Sequence, residues 1–169
     1  MSQGLDRGHY LGTGDSGSGF HVCVEVPDMD QALAFYRDIL GLEFAWRSTF
    51  RGDFLDVLTA TTGAEVDVVQ LACPGGSRIE LACYTPQGQL DTRRVIDGGL
   101  NHLSLGFHDV RAVYEVLTAR GVRFASEPLL QSAPGTPVHL WWVTYCYDPW
   151  GTPIEIFGPD AGVPDERLF

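Results

Sequence analysis

The sequence predicts an α+β protein built from two copies of a βαβββ unit. A strand-like alternation is followed at once by a helical pattern, and the same combination recurs in the second half of the chain. The 169 residues are 44% hydrophobic and 20% charged, which suits one globular domain with a packed core. We expect these parts: a flexible tail at 1–18, one domain at 19–159 (module one 19–85, linker 86–99, module two 100–159) and a C-terminal tail at 160–169.

The first unit opens with the alternating strand FHVCVEV. Its valines share one face, and His21, Cys23 and Glu25 share the other. Asp28 then provides a helix N-cap, and apolar residues follow at helical spacing until a glycine ends the helix. The sequence does not decide how residues 50–62 are divided into secondary-structure elements. The unit is completed by β-rich runs near 42–50, 55–60, 66–72 and 78–84.

The second unit repeats the first. HVCVEVPDMDQALAFYRDILGLEF is echoed by HLSLGFHDVRAVYEVLTARGVRF, and His21 and His102 lie 81 positions apart, as do the helix-capping Asp28 and Asp109. The shared spacing predicts that both units have one fold. The second helix is expected to bury Val110, Val113, Val116 and Leu117.

Each unit ends on a strand that carries a glutamate between apolar neighbours. Glu80 lies in Ile-Glu-Leu, and Glu155 lies in Ile-Glu-Ile within a strand near 153–158, which follows a strand near 138–147. Burial of a glutamate is costly unless the carboxylate is paired or binds a metal. A two-fold relation between the units would bring both glutamates and both strand histidines together.

Neutral imidazoles and carboxylates are ligands for a divalent metal ion, and four of them leave positions open for water or substrate on a six-coordinate ion. The sequence therefore predicts a catalytic metal site made by His21, Glu80, His102 and Glu155.

These motifs resemble the vicinal oxygen chelate superfamily, which includes glyoxalase I, methylmalonyl-CoA epimerase, extradiol dioxygenases, and fosfomycin and bleomycin resistance proteins. The resemblance covers residues 19–159 and is carried by the strand of His21 with VPDMDQALAFYRDILGLEF, by Ile-Glu-Leu at Glu80, by GLNHLSLGFHDV and by DPWGTPIEIFGP. It implies two βαβββ modules that form a curved mixed sheet around a metal-containing cavity. It also implies a homodimer, in which the modules pair within one chain or between subunits.

The ligand set is most similar to glyoxalase I. The resemblance implies a metal-dependent lyase or isomerase that binds one ion of Zn, Ni, Co, Mn or Fe. Such an ion would hold two oxygens of a small substrate and acidify a C–H bond next to a carbonyl. Glu155 or Glu80 would then transfer the proton as the catalytic base, and the resemblance favours Glu155.

Two other functions fit the same resemblance. One is a resistance protein that binds a drug or metabolite without chemistry, although such proteins typically lack the metal ligands. The other is an Fe(II) extradiol-type dioxygenase, although the position of Glu80 is normally not a ligand there. In methylmalonyl-CoA epimerases, a further acid/base glutamate would align near Val68, and Asp67 should face the opposite side of the strand. This departure argues against the usual two-base route.

Aromatic residues are candidates for a substrate pocket. The run HLWWVTYCY at 139–147 has two interpretations. Half of its side chains would pack as core under the helices, or the other half would form the wall of an apolar substrate pocket. The pocket candidates are Phe50, Trp141 and Tyr145.

Composition excludes several classes of partner. Eleven Lys and Arg against 22 Asp and Glu give a net charge of -11, which is the wrong sign for nucleic acid or an anionic membrane. The chain has no long apolar run and no secretory signal at its start, so we expect a cytoplasmic protein. Four cysteines without a CxxC pair are expected to be reduced. The expected partners are a small-molecule substrate and a second copy of the chain.

Overall fold

The computed structural model describes residues 21–73, 76–88, 102–131, 134 and 138–160. The described residues divide into two compact units. The first unit holds 21–33 and 41–88, and the second holds 34–40 and 102–160. The expected tail at 1–18, the linker from residue 89 onward and the chain after Asp160 lie outside the described residues.

The first unit contains a four-stranded mixed sheet. Its strands are β1 His21–Glu25, β2 Glu43–Arg51, β3 Glu65–Ala72 and β4 Arg78–Thr85, in the order β1-β4-β3-β2. Strand β1 pairs in parallel with β4, and the other pairs are antiparallel. The strands predicted near 42–50, 66–72 and 78–84 are confirmed.

The first helix, α1 (Met29–Leu33), begins at the predicted cap and continues as a π-helical segment, Ala34–Ile39. The Asp28 carboxylate accepts hydrogen bonds from the backbone N–H of Gln31 at 3.0 Å and from its side-chain amide at 2.8 Å. The first bond satisfies a free N–H at the helix start and confirms Asp28 as the predicted N-cap, and the second bond joins the two side chains.

The prediction of a strand at 55–60 is wrong, because this segment forms helix α2 (Asp53–Thr59). The backbone carbonyl of Gly52 accepts hydrogen bonds from the N–H groups of Leu55 and Asp56, which begins the helix. After the helix, the Asp56 carboxylate accepts hydrogen bonds from Gly63 and Ala64. The apolar residues of this run follow a helical period rather than the period of two that a strand requires.

The second unit contains a five-stranded mixed sheet. Its strands are β5 Leu103–Gly106, β6 Arg123–Phe124, β7 Leu129–Gln131, β8 Trp141–Tyr147 and β9 Pro153–Pro159. Their order is β5-β9-β8-β6, and β7 pairs with β8. Strand β5 pairs in parallel with β9, as β1 does with β4. The two closing strands predicted for this unit are confirmed, although β8 begins at Trp141 rather than near 138, after Leu140 with a φ of 62°.

Helix α3 (Val110–Ala119) packs against β8 and β9 of the second sheet, and its N-cap Asp109 accepts a hydrogen bond from the backbone N–H of Ala112. Val110 and Leu117 are buried as predicted. The prediction for Val116 is wrong: it is 51% exposed and borders a surface groove, because only part of the apolar stripe faces the sheet. Within the described ranges, no helix has the length and apolarity that a membrane span requires.

Tyr36 anchors the π-helical segment inside the second unit. Its hydroxyl donates a 2.8 Å hydrogen bond to the buried carboxylate of Asp148. The same carboxylate accepts hydrogen bonds from the backbone N–H groups of Trp150 and Thr152 in the turn before β9. Burial, followed by the negative charge of Asp148, raises the pKa of Tyr36 well above 10, so the hydroxyl stays protonated and remains a donor.

Replacement of Gly158 by alanine is expected to destabilise the second unit by about 1–3 kcal/mol, the usual cost of overpacking. The new Cβ would lie 1.9 Å from the backbone oxygen of Phe107. Phe107 cannot easily move away, because its N–H is bonded to the carbonyl of Phe157 at 2.8 Å. Urea unfolding followed by circular dichroism measures this loss.

Gly88→Ala is the matched control. Its new Cβ would meet only the Glu25 carboxylate, with the nearest oxygen at 3.0 Å, and this flexible side chain can rotate away. We expect its unfolding free energy to stay within about 0.5 kcal/mol of the unsubstituted protein. Equal stability of the two variants would contradict the close approach at Gly158.

Candidate active site

Strand alternation places His21 and Cys23 on one face of β1, and the parallel register places Cys23 beside Glu80 of β4. The His21 Nε2 and Glu80 Oε2 atoms lie 3.9 Å apart. This distance is too long for a hydrogen bond. The distance suits two ligands of one ion. Metal–nitrogen and metal–oxygen bonds of about 2.0–2.2 Å allow the two ligand atoms to lie at most about 4.4 Å apart. The first unit thus brings two of the predicted ligands together.

Cys23 contacts the same glutamate. Loss of water around the thiol is the largest cause that raises its pKa, to about 11, and the charge and hydrogen bonding of Glu80 add to the effect. Cys23 therefore remains a neutral thiol that donates a hydrogen bond to Glu80. The polar face of its strand was the available signal for this contact, but the sequence does not reveal the register between β1 and β4.

A further polar residue, Gln70, lies beside Glu80 in the β3–β4 register and is 5% exposed. Its side-chain oxygen accepts a 3.2 Å hydrogen bond from the indole N–H of Trp46. Because the indole group can only donate, this bond fixes the orientation of the Gln70 amide. Sequence analysis missed Gln70, which stands inside an apolar run.

Phe50 lies on the same face of the first sheet as Trp46 and is 44% exposed. Val68 is buried in an apolar cluster with Leu55 of helix α2. Asp67 faces the opposite side, where its carboxylate binds the guanidinium of Arg47 at 2.6 Å. The position near Val68 therefore offers no acid or base.

The second unit contains the corresponding pair. His102 Nε2 and Glu155 Oε2 lie 3.7 Å apart, a separation that again suits two ligands of one ion. Strands β5 and β9 position Glu155 opposite Ser104, as β1 and β4 position Glu80 opposite Cys23. The two units therefore present equivalent side chains on equivalent strands.

Two hydroxyl groups hold the Glu155 carboxylate. Ser104 donates a hydrogen bond to Oε2 at 2.5 Å, and Tyr145 of β8 donates one to Oε1 at 3.3 Å. Burial and then the charge of Glu155 raise the pKa of Tyr145, so the phenol is a proton donor at neutral pH. The Tyr145 ring also meets the His102 ring edge to face, with centroids 5.3 Å apart.

The aromatic run in β8 divides between the two faces of the second sheet. Trp141 shares the face of Tyr145 and stacks on Phe157 at 5.3 Å. Its indole N–H is buried and has no hydrogen-bond partner within the described part of the chain. Trp142, on the other face, donates a 2.7 Å hydrogen bond to Asp160. Half of the run thus belongs to the helix side and half to the face of Glu155.

Within each unit, the described residues include no group of three or more His, Cys, Asp or Glu side chains placed to hold a metal ion. Each unit supplies one imidazole and one carboxylate, a donor set that fits a divalent ion such as Zn, Mn or Fe.

The chain belongs to the Glyoxalase/Bleomycin resistance protein/Dioxygenase superfamily, whose model matches residues 20–156. The resemblance seen in the sequence is confirmed, and so is the α+β fold class.

Similar proteins include two named epimerases. The chain is 32% identical over 155 residues to a 2-epi-5-epi-valiolone epimerase from Actinomyces sp, with 87% of this chain and 82% of that protein covered. It is 26% identical over 118 residues to the mitochondrial methylmalonyl-CoA epimerase of Bos taurus. The second match covers 70% of this chain and 62% of that protein.

Solved structures of low sequence identity share the fold. A glyoxalase family protein from Bacillus cereus has a TM-score of 0.70 at 23% identity, with 82% of this chain and 91% of that chain covered. A glyoxalase/dioxygenase from Nostoc punctiforme has a TM-score of 0.57 at 19% identity, with 94% and 98% covered.

Glu80→Gln is expected to speed the alkylation of Cys23 in the metal-free protein. The substitution removes a negative charge that raises the pKa of the thiol, so this pKa falls from about 11 toward 9 and more thiolate forms at a given pH. Iodoacetamide labelling followed by peptide mass spectrometry measures the rate at Cys23.

Glu25→Gln is the control, because Glu25 is the smallest of the causes that raise the pKa of Cys23. It should speed labelling less than Glu80→Gln does. An equal effect of both substitutions would contradict the direct contact between Cys23 and Glu80.

Proposed function

We propose that the protein is a divalent-metal-dependent isomerase that inverts a carbon centre next to a carbonyl group of a small substrate. The observation that carries the proposal is the repeated His–Glu pair, His21 with Glu80 and His102 with Glu155. The similarity to two named epimerases supports isomerisation over lyase chemistry.

The four side chains would together hold one ion per chain. His21 and His102 would supply nitrogen ligands, and Glu80 and Glu155 would supply oxygen ligands. When bound, the ion would act as a Lewis acid on two substrate oxygens and stabilise the negative charge that develops when the neighbouring C–H bond is broken. Zn, Ni, Co, Mn and Fe all accept this donor set.

The two glutamates are the proposed proton carriers. Inversion of a centre requires removal of a proton from one side and its return to the other, which is work for two positioned acid/base groups. Val68 is buried among apolar side chains and cannot serve. The route proposed here therefore uses Glu80 and Glu155, and Glu155 is preferred for the first proton removal because of the family resemblance.

Aromatic rings on the faces of the two glutamates would contact the substrate. Phe50 and Trp46 lie on the face of Glu80, and Trp141 and Tyr145 lie on the face of Glu155. Apolar surface beside a few polar groups is typical of small-molecule sites. We therefore propose a small molecule as the substrate.

We also propose a cytoplasmic homodimer. Helix α2 exposes Phe54, Val57 and Leu58, which are 76%, 82% and 68% exposed in the single chain. Adjacent exposed apolar side chains favour contact with another protein surface. Light scattering of the purified protein measures its oligomeric state.

Elemental analysis of protein purified without added metal or chelator is expected to give about one divalent ion per chain. His102→Ala and Glu155→Ala should each lose the ion, because each removes a ligand. His108→Ala and Glu127→Ala are the matched controls and should keep it. Folded wild-type protein that neither contains nor binds an ion would overturn the metal-dependent proposal in favour of a ligand-binding protein.

Proton exchange in heavy water tests the chemistry. We expect the metal-loaded protein to exchange the C–H proton of a suitable α-hydroxy ketone, followed by NMR across a panel of such compounds. Glu155→Gln and Glu80→Gln should each slow this exchange by about 100-fold or more, the usual contribution of an acid/base group.

Glu115→Gln is the control for the exchange experiment and should leave the rate unchanged. Oxygen uptake on a catechol panel by an iron-containing protein would instead identify a dioxygenase. Exchange that survives the loss of both glutamate carboxylates would contradict their proposed role.

A further inference from the structure

Glu155 differs from Glu80 in how firmly its carboxylate is held. Both of its oxygens accept a hydrogen bond from a hydroxyl group, Oε2 from Ser104 at 2.5 Å and Oε1 from Tyr145 at 3.3 Å. The bond from Ser104 is at the short end of the range for a hydroxyl that donates to a carboxylate, and such bonds are stronger than neutral ones. The orientation of the Glu155 carboxylate is therefore fixed from two neighbouring strands.

We propose that Ser104 and Tyr145 are positioning residues that set the Glu155 carboxylate for metal binding, with Ser104 the more important. This inference rests on the proposed function. Neither residue needs to contact the ion or the substrate in this role. Hydrogen bonds to a metal-binding side chain hold it in the orientation that the ion requires, so less conformational freedom is lost when the ion binds. Removal of such a bond typically weakens metal affinity or activity by about 10–100-fold.

The geometry of the second unit explains why these two residues can act on one carboxylate. Ser104 lies directly opposite Glu155 in the β5–β9 register, and Tyr145 lies directly opposite it in the β8–β9 register. Glu155 thus stands between two donors in one row across the sheet. His102, two residues before Ser104, brings its Nε2 atom to 3.7 Å from the same Oε2 atom.

The first unit supplies an internal comparison. Cys23 occupies the position of Ser104, and Gln70 occupies the position of Tyr145. A thiol is a weaker hydrogen-bond donor than a hydroxyl. Glu80 is therefore held by a weaker donor on its β1 side, and the exchange of serine and cysteine between the two positions tests whether donor strength matters.

The experiment measures the dissociation constant of Co²⁺ for the chelator-treated full chain by calorimetry. Ser104→Ala is expected to raise this constant by about 10-fold, and Tyr145→Phe by a smaller factor because its bond is longer. Ser104→Thr keeps the hydroxyl and should restore wild-type affinity. Ser104→Cys should give an intermediate value, and Cys23→Ser should tighten binding.

Ser126→Ala is the matched control, because the Ser126 hydroxyl bonds to the neighbouring Glu127 carbonyl and should leave metal affinity unchanged. The thermal midpoint of each metal-free variant shows whether it is folded. If Ser104→Ala fails to fold, the comparison of Ser104→Thr with Ser104→Cys carries the test, since both retain a side chain at this position.

The outcomes separate the inference from the proposed function. Wild-type protein that binds Co²⁺ while Ser104→Ala binds it equally well overturns the positioning role and leaves the metal site standing. Weaker binding by Ser104→Ala, with rescue by Ser104→Thr and an unchanged thermal midpoint, supports the positioning role. Wild-type protein that binds no ion overturns both.

Discussion

The parallel pairing of the first and last strands of each unit is the constraint on which the candidate site depends. It places Glu80 beside the strand of His21 and Glu155 beside the strand of His102. Because side chains alternate along a strand, a shift of one residue in either register would move a glutamate to the opposite face of its sheet, which carries Leu81 in the first unit and Ile156 in the second. The core on that side, with Leu81 and Ile156 fully buried, holds the register and therefore also positions the carboxylates.

The two units use this shared framework differently. In the first unit, Glu80 has a thiol beside it, and an amide fixed by Trp46 occupies the next strand. In the second unit, Glu155 accepts hydrogen bonds from two hydroxyl groups. Identical backbone positions thus give one carboxylate held firmly and one held by a weaker donor. Such a difference is compatible with the proposal that Glu155, rather than Glu80, removes the first proton.

Much of the fold was readable from the sequence because its signals are local. Alternation in FHVCVEV, the caps Asp28 and Asp109 and the repeat predicted the strands and helices that the structure contains. The segment 55–60 forms a helix rather than the predicted strand, because its apolar residues follow a helical period. Val116 is exposed rather than buried, because the apolar stripe of a helix does not reveal how much of it contacts the sheet.

The sequence by itself determined the superfamily, the α+β class and the four candidate ligands, because these depend on residue type and spacing along the chain. Only the tertiary structure decided which side chains stand beside the glutamates. Cys23, Gln70, Ser104 and Tyr145 reach them through pairing between strands far apart in sequence. Hydrogen bonding between distant strands and the burial of one sheet face set that pairing, and neither is a property of a local segment.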